Sequence, residues 1–141
     1  ALPEFRAVEA TLRNDGHRPF SSWQLLGAGA VGSQSLVGIP VLERLRTRFG
    51  DRLDVWPFTT GFRLPPSARG SIVVAEVWPS MIEVVVTGEE IRDAAQVAAT
   101  ATWLATAAAA SELGAMFSPR ISQETAAVAG AEEGWVLGVS A

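Results

Sequence analysis

Two acids stand where acids are chemically conspicuous. Glu76 interrupts the apolar run from Ser71 to Trp78, near its C-terminal end. A carboxylate placed there without a partner costs several kcal/mol or changes its protonation, so it has to be paired or sit at the rim of a sheet. Asp93 lies early in a long Ala-rich helical pattern, on a polar stripe with Gln96, Thr100 and Trp103. Oxygen ligands of this kind suit Mg²⁺ or Mn²⁺. Such ions can clamp the attacking and leaving oxygens of a phosphodiester, chemistry that needs about three or four converging acids. Glu76 and Asp93 are therefore the candidate catalytic and metal-binding residues, as part of a site. Each also has a structural reading. Glu76 could pair with Arg63, Arg69 or Arg92, and Glu89, Glu90 and Asp93 could complement the positive end of their helix.

Other motifs are weaker. Gly27-x-Gly29-x-x-Gly32 follows the apolar stretch Trp23 to Leu26 and fits a dinucleotide fingerprint. The helix it should open is expected to break within about two turns, at Gly38 and Pro40. A structural glycine bend is the competing reading. His17 is the single histidine, so no histidine-rich metal site is available. Arg44, Arg46 and Arg48 read as a solvated helix face or as phosphate contacts.

Composition removes whole classes of chemistry. There is no cysteine, hence no disulfide framework, thiolate nucleophile or Cys-type zinc site. All 11 basic residues are Arg, so P-loop, Schiff-base and general-base lysines are absent. A net charge of −4 disfavours strong nonspecific nucleic-acid binding. No apolar run reaches the roughly 18–20 residues that cross a bilayer, and no membrane partner is expected.

The elements that must position these residues follow from periodicity. Leu2 to Asn14 reads as a helix, with Phe5, Val8 and Leu12 on one face, stopped by Asn14-Asp15-Gly16. Val41 to Phe49 reads as a second helix. Arg52 to Phe58 and Ser71 to Trp78 read as strands, the latter covered on both faces. Both carry an acid two residues before Trp and three before Pro, Asp54-Val55-Trp56-Pro57 and Glu76-Val77-Trp78-Pro79, and should end there. Thr87 and Glu90 suggest a capping box opening a helix from Glu89 to about Leu113. Residues 134–139 close the chain as a short strand or extended tail. This order implies an α/β layer structure, a mixed sheet flanked by helices including the long Ala-rich one. About three strands fall short of the usual five or six. The 141 residues are expected to be a single domain or the C-terminal half of one, completed by an N-terminal half or a homo-oligomer partner.

Several segments carry a family resemblance: Phe5-Arg6 with Glu9, Trp23 to Gln34, Gly38-Ile39-Pro40, Val55-Trp56-Pro57-Phe58, Ala75 to Ser80, Asp93 to Val97 and Glu133 to Val139. Together they resemble the C-terminal half of uncharacterised bacterial proteins with a ribonuclease-H-like fold, some labelled predicted nucleases. The resemblance implies a partial ribonuclease-H-like motif in which Glu76 matches the fourth-strand acid and Asp93 the late-helix acid. The first-strand acid would lie upstream of Ala1. It implies a cytoplasmic Mg- or Mn-dependent phosphodiesterase acting on nucleic acid or another phosphoester, with Glu76 and Asp93 roughly 4–6 Å apart on a concave surface. The alternative is a noncatalytic scaffold of the same fold that binds a partner or small ligand.

Overall fold

The computed structural model describes residues 3–65, 70–84, 86 and 91–141. Within them the architecture is mixed α/β. Helix α1 (Ala7–Asn14) is followed, after a long glycine-bearing loop, by α2 (Gly32–Phe49). Strands β1 (Leu53–Val55) and β2 (Ile72–Val74) pair in parallel, with Leu53 opposite Ile72 and Val55 opposite Val74. The C-terminal part adds α3 (Arg92–Ala109), α4 (Leu113–Met116), α5 (Gln123–Val128) and a π turn at Ala129–Glu133.

Both strands are shorter than their apolar runs. At the end of β1 the Trp56 N–H still donates to the Val74 carbonyl at 2.9 Å, while on the edge away from β2 the Thr59 hydroxyl accepts the Val55 N–H at 2.9 Å and the Thr59 N–H donates to the Val55 carbonyl at 2.9 Å, turning the chain. β2 is half-buried, not covered on both faces as its composition suggested. Beyond it Glu76 forms one parallel bridge to Val136, with the Leu137 N–H donating to the Glu76 carbonyl at 2.9 Å. The C-terminal segment thus joins the sheet through a bridge rather than a full strand.

The helices depart from their expected bounds in instructive ways. α1 starts at Ala7, not Leu2, because Arg6 is extended (φ −62°, ψ 159°) and serves as its N-cap. Pro40 and Gly38 do not break α2, which runs through both to Phe49. Pro40 is exposed, so the helix loses the bond to the Leu36 carbonyl that the missing N–H would have made, and water can reach that carbonyl. α3 ends at Ala109, ahead of the expected Leu113; Ser111 adopts φ 60° and turns the chain into α4, which contains Gly114. The capping box at Thr87–Glu90 lies outside the described residues.

The core gathers α1, the end of β1 and the C-terminal segment. Val8, Leu12, Trp56, Phe117, Ala129, Trp135, Val136, Leu137 and Val139 form one buried cluster. Trp56 meets Phe62 and Phe117 edge to face at 5.6 and 5.5 Å, and Phe62 meets Trp135 in the same way at 6.2 Å. Both buried indoles have partners: Trp56 donates to the Phe117 carbonyl at 3.1 Å, and Trp135 to the Val139 carbonyl at 3.0 Å.

Truncating Trp135 should therefore remove a core anchor and a hydrogen bond together. Trp135→Ala is expected to lower unfolding stability by about 3–5 kcal/mol. Leu26→Ala, at a side chain 86% exposed, should change it by less than about 0.5 kcal/mol. Urea unfolding followed by circular dichroism measures both; equal effects would show that Trp135 is not a core anchor.

Candidate functional site

The polar centre of the molecule is built on Arg6. Its guanidinium is buried against the core, and nearly all of its donors have named acceptors. Nε donates to Glu9 Oε1 at 2.9 Å. The terminal nitrogens grip Glu76 in a bidentate pair, Nη2 to Oε1 at 2.7 Å and Nη1 to Oε2 at 2.8 Å. Nη1 also reaches the Glu133 carbonyl at 2.9 Å. The fork geometry of guanidinium and carboxylate makes such pairs both strong and orientationally specific. Burial pulls the Arg6 pKa down, but hydrogen bonds and charge from Glu76, and then from Glu9, outweigh it and hold the group above its ordinary value.

The neighbouring carboxylates are satisfied in turn. Glu9 is 2% exposed. It receives the Arg6 backbone N–H at 3.0 Å, and the Ser22 backbone N–H at 3.0 Å together with the Ser22 hydroxyl. The Glu133 carboxylate accepts the Ala7 N–H at 2.8 Å at the start of α1. One ionic cluster thus ties the N-terminus of α1, the segment just past β2, the loop before α2 and the end of the π turn.

Glu76 is the meeting point of this cluster and open solvent. Its side chain remains 44% exposed and lines a cleft of about 440 Å³ with Phe20, Ser22, Gln34, Trp78 and Pro79. His17 stands edge-on to Trp78 at 5.3 Å and supports that wall. Among the described residues Glu76 uses Arg6, not the expected Arg63 or Arg92; Arg69 lies outside the described residues. Asp93 is exposed in the first turn of α3 and is not among the residues lining the Glu76 cleft.

The charge around Glu76 is unfavourable for a divalent cation. Both oxygens of Glu76 already face a guanidinium, and a cation bound there would lie within a few ångströms of that positive charge, where like charges repel strongly. Among the described residues, no three acidic or histidine side chains converge on one point.

The glycine motif is a structural bend. Gly27 and Gly29 adopt φ +100° and +77°. A Cβ on Gly29 would lie 2.3 Å from the Phe20 ring, and one on Gly32 would lie 2.6 Å from the Ser22 carbonyl oxygen. The room that a dinucleotide's pyrophosphate would use is filled by the protein's own atoms. Arg46 pairs with Glu43 at 3.0 Å on the exposed side of α2, in keeping with a solvated face.

No family model matches the sequence, and no curated protein or solved structure matches the chain.

Arg6 had no assigned role in the sequence because Arg6 and Glu9, three apart at a helix start, look like an ordinary surface pair. The signal that could have found it is its position between Phe5 and Val8 on the apolar side of α1. Removing one partner of a buried pair strands the other's charge, so Arg6→Met should destabilise the fold by about 3–5 kcal/mol. Glu76→Gln, half in solvent, should cost about 1 kcal/mol or less. Denaturant midpoints of the two variants measure both; a wild-type midpoint for Arg6→Met would show that the Arg6 cluster is not structural.

Proposed function

We propose that this chain is a noncatalytic ribonuclease-H-like scaffold that binds a partner, rather than a metal-dependent phosphodiesterase. The observation that carries this reading is the bidentate Arg6–Glu76 pair. The residue at the position of a metal-binding acid is committed to a buried guanidinium that also organises three other segments. Asp93, the other candidate, stands outside the Glu76 cleft. The parallel β1–β2 pair and the acid two residues past β2 support the ribonuclease-H-like assignment.

A scaffold needs a binding surface, and exposed apolar side chains on and before α2 are candidates for it. Leu25, Leu26, Leu36, Val37, Ile39 and Val41 are all exposed. Scattered exposed side chains are ordinary, but this many on one helix and the loop before it are available for docking.

Calorimetric titration of the full chain with Mn²⁺ tests the choice. The expected result is no saturable heat for the wild type, Glu76→Gln or Asp93→Asn. A saturable Mn²⁺ isotherm for the wild type that is lost in Glu76→Gln would overturn the scaffold reading in favour of a metal-dependent site.

A further inference from the structure

The cleft beside Glu76 has two aromatic side chains in its lining, and each is held by a neighbour. Phe20 is 55% exposed, yet the tip of its ring lies against Gly29, where a Cβ would stand 2.3 Å from it. Trp78, half-buried, takes the edge-on His17 ring at 5.3 Å. A ligand that stacks on either ring does not have to order it, which lowers the cost of binding. The cleft measures about 440 Å³, a volume ordinary for small-molecule sites.

The polar groups of the cleft select the ligand. A carboxylate has about four acceptor positions. Arg6 takes one on each oxygen of Glu76, and the side chain is 44% exposed, so further N–H donors can reach it. Its charge is already balanced by the guanidinium. What faces the cleft is a strong acceptor with no net charge to draw a cation. An anion is disfavoured as well, because Glu76 and Glu9 both line the cleft against the one guanidinium of Arg6. Gln34, in the first turn of α2, adds a carboxamide that has no hydrogen-bond partner among the described residues. A carboxamide donates and accepts side by side, the pattern that pairs with an exocyclic amino group next to a ring nitrogen, as Gln does with adenine. An amino group has a second hydrogen, and Glu76 is an acceptor for it. Stacking on aromatic side chains accepts any flat base, so discrimination falls to this polar edge.

We infer that the Glu76 cleft binds a neutral, flat heteroaromatic ring bearing an amino group, of the aminopurine or aminopyrimidine class, stacked against Phe20 and Trp78 with its amino group toward Glu76 and Gln34. The inference rests on the scaffold reading, in which Glu76 belongs to Arg6 and not to a metal, and adds a small ligand to it.

Adenosine is the probe, and inosine, which has a carbonyl oxygen in place of the amino group, is its control. Calorimetric titration of the full chain should give saturable adenosine binding with a Kd below about 1 mM. Inosine should bind at least about tenfold more weakly, because its oxygen would face the Glu76 acceptor. Phe20→Ala and Gln34→Ala, both at exposed side chains, should each weaken adenosine about tenfold with an unchanged circular dichroism spectrum. AMP, which adds a phosphate, should bind no more tightly than adenosine. No saturable adenosine binding, equal affinity for adenosine and inosine, unchanged affinity in both variants, or tighter binding of AMP would overturn the inference. Should the variants fail to fold, the adenosine–inosine comparison on the wild type decides by itself. Mn²⁺ binding lost in Glu76→Gln removes the scaffold reading, whereas absent adenosine binding without an Mn²⁺ isotherm removes the ligand alone, so the two failures are separately visible.

Discussion

Burying a guanidinium is the constraint from which much of this structure follows. An arginine removed from water has to be met by acceptors on several sides, and no one element of this chain can provide them. Glu9 comes from α1 itself, Glu76 from the chain just past β2, and the Glu133 carbonyl from the end of the π turn. Satisfying Arg6 thus brings together segments up to 127 residues apart in sequence. The apolar cluster around Trp56 and Trp135 supplies the larger driving force, because area removed from water is what drives folding. The ionic cluster contributes orientation. Ion pairs in interiors are often close to neutral in net stability but costly to break, so they discriminate against arrangements that leave one member unpaired.

The same constraint sets the charge that Glu76 faces. A carboxylate at a sheet rim in a cleft has the position of a metal ligand. Its role depends on what faces it. Here a fixed positive charge lies along both oxygens, and the backbone carbonyl of Glu76 is held by Leu137. The residue is oriented toward the interior by its main chain and neutralised there by its side chain. The acid pattern on the strand and helix has the same appearance for a catalytic pair and for a structural anchor with a solvated helix-terminal acid. The identity of the opposing group distinguishes them, and it comes from a part of the chain far away in sequence.

This accounts for how much could be read from the sequence. The α/β class, the two strands and the long Ala-rich helix follow from local periodicity, and the end of β1 beside Trp56 follows from Pro57, whereas the parallel pairing was not read and β2 stops at Val74, short of the end expected at Trp78. The acid at position 76 was recognisable as a residue needing explanation. Its partner was not, because Arg6 and Glu76 share no local pattern and three other arginines were as plausible by sequence. The continuity of α2 through Pro40 was hidden for a different reason. Proline is unfavourable in a helix interior by about 3 kcal/mol, yet here it stands on an exposed face where the freed carbonyl is hydrated. The glycine bend was ambiguous until Phe20 and the Ser22 carbonyl were seen in the space beside Gly29 and Gly32.

The buried cluster and the exposed helix are mechanically joined. Ser22 donates twice to Glu9, which fixes the loop leaving α1. Two residues on, the Gln24 carbonyl accepts the Gly32 N–H at 3.0 Å, and the Ser22 carbonyl packs so close to Gly32 that a side chain there would collide with it. Gly32 is the first residue of α2. The direction in which α2 leaves the body is therefore set by contacts that begin at Arg6 and pass through Glu9 and Ser22 to the helix start. At its far end, Leu53 and Val55 pack inward within a few residues of Phe49. A helix anchored at its two ends and apolar along its middle is a rigid presentation of a surface. Rigid presentation lowers the ordering cost of association, and the contacts that begin at Arg6 hold the exposed face of α2 in place.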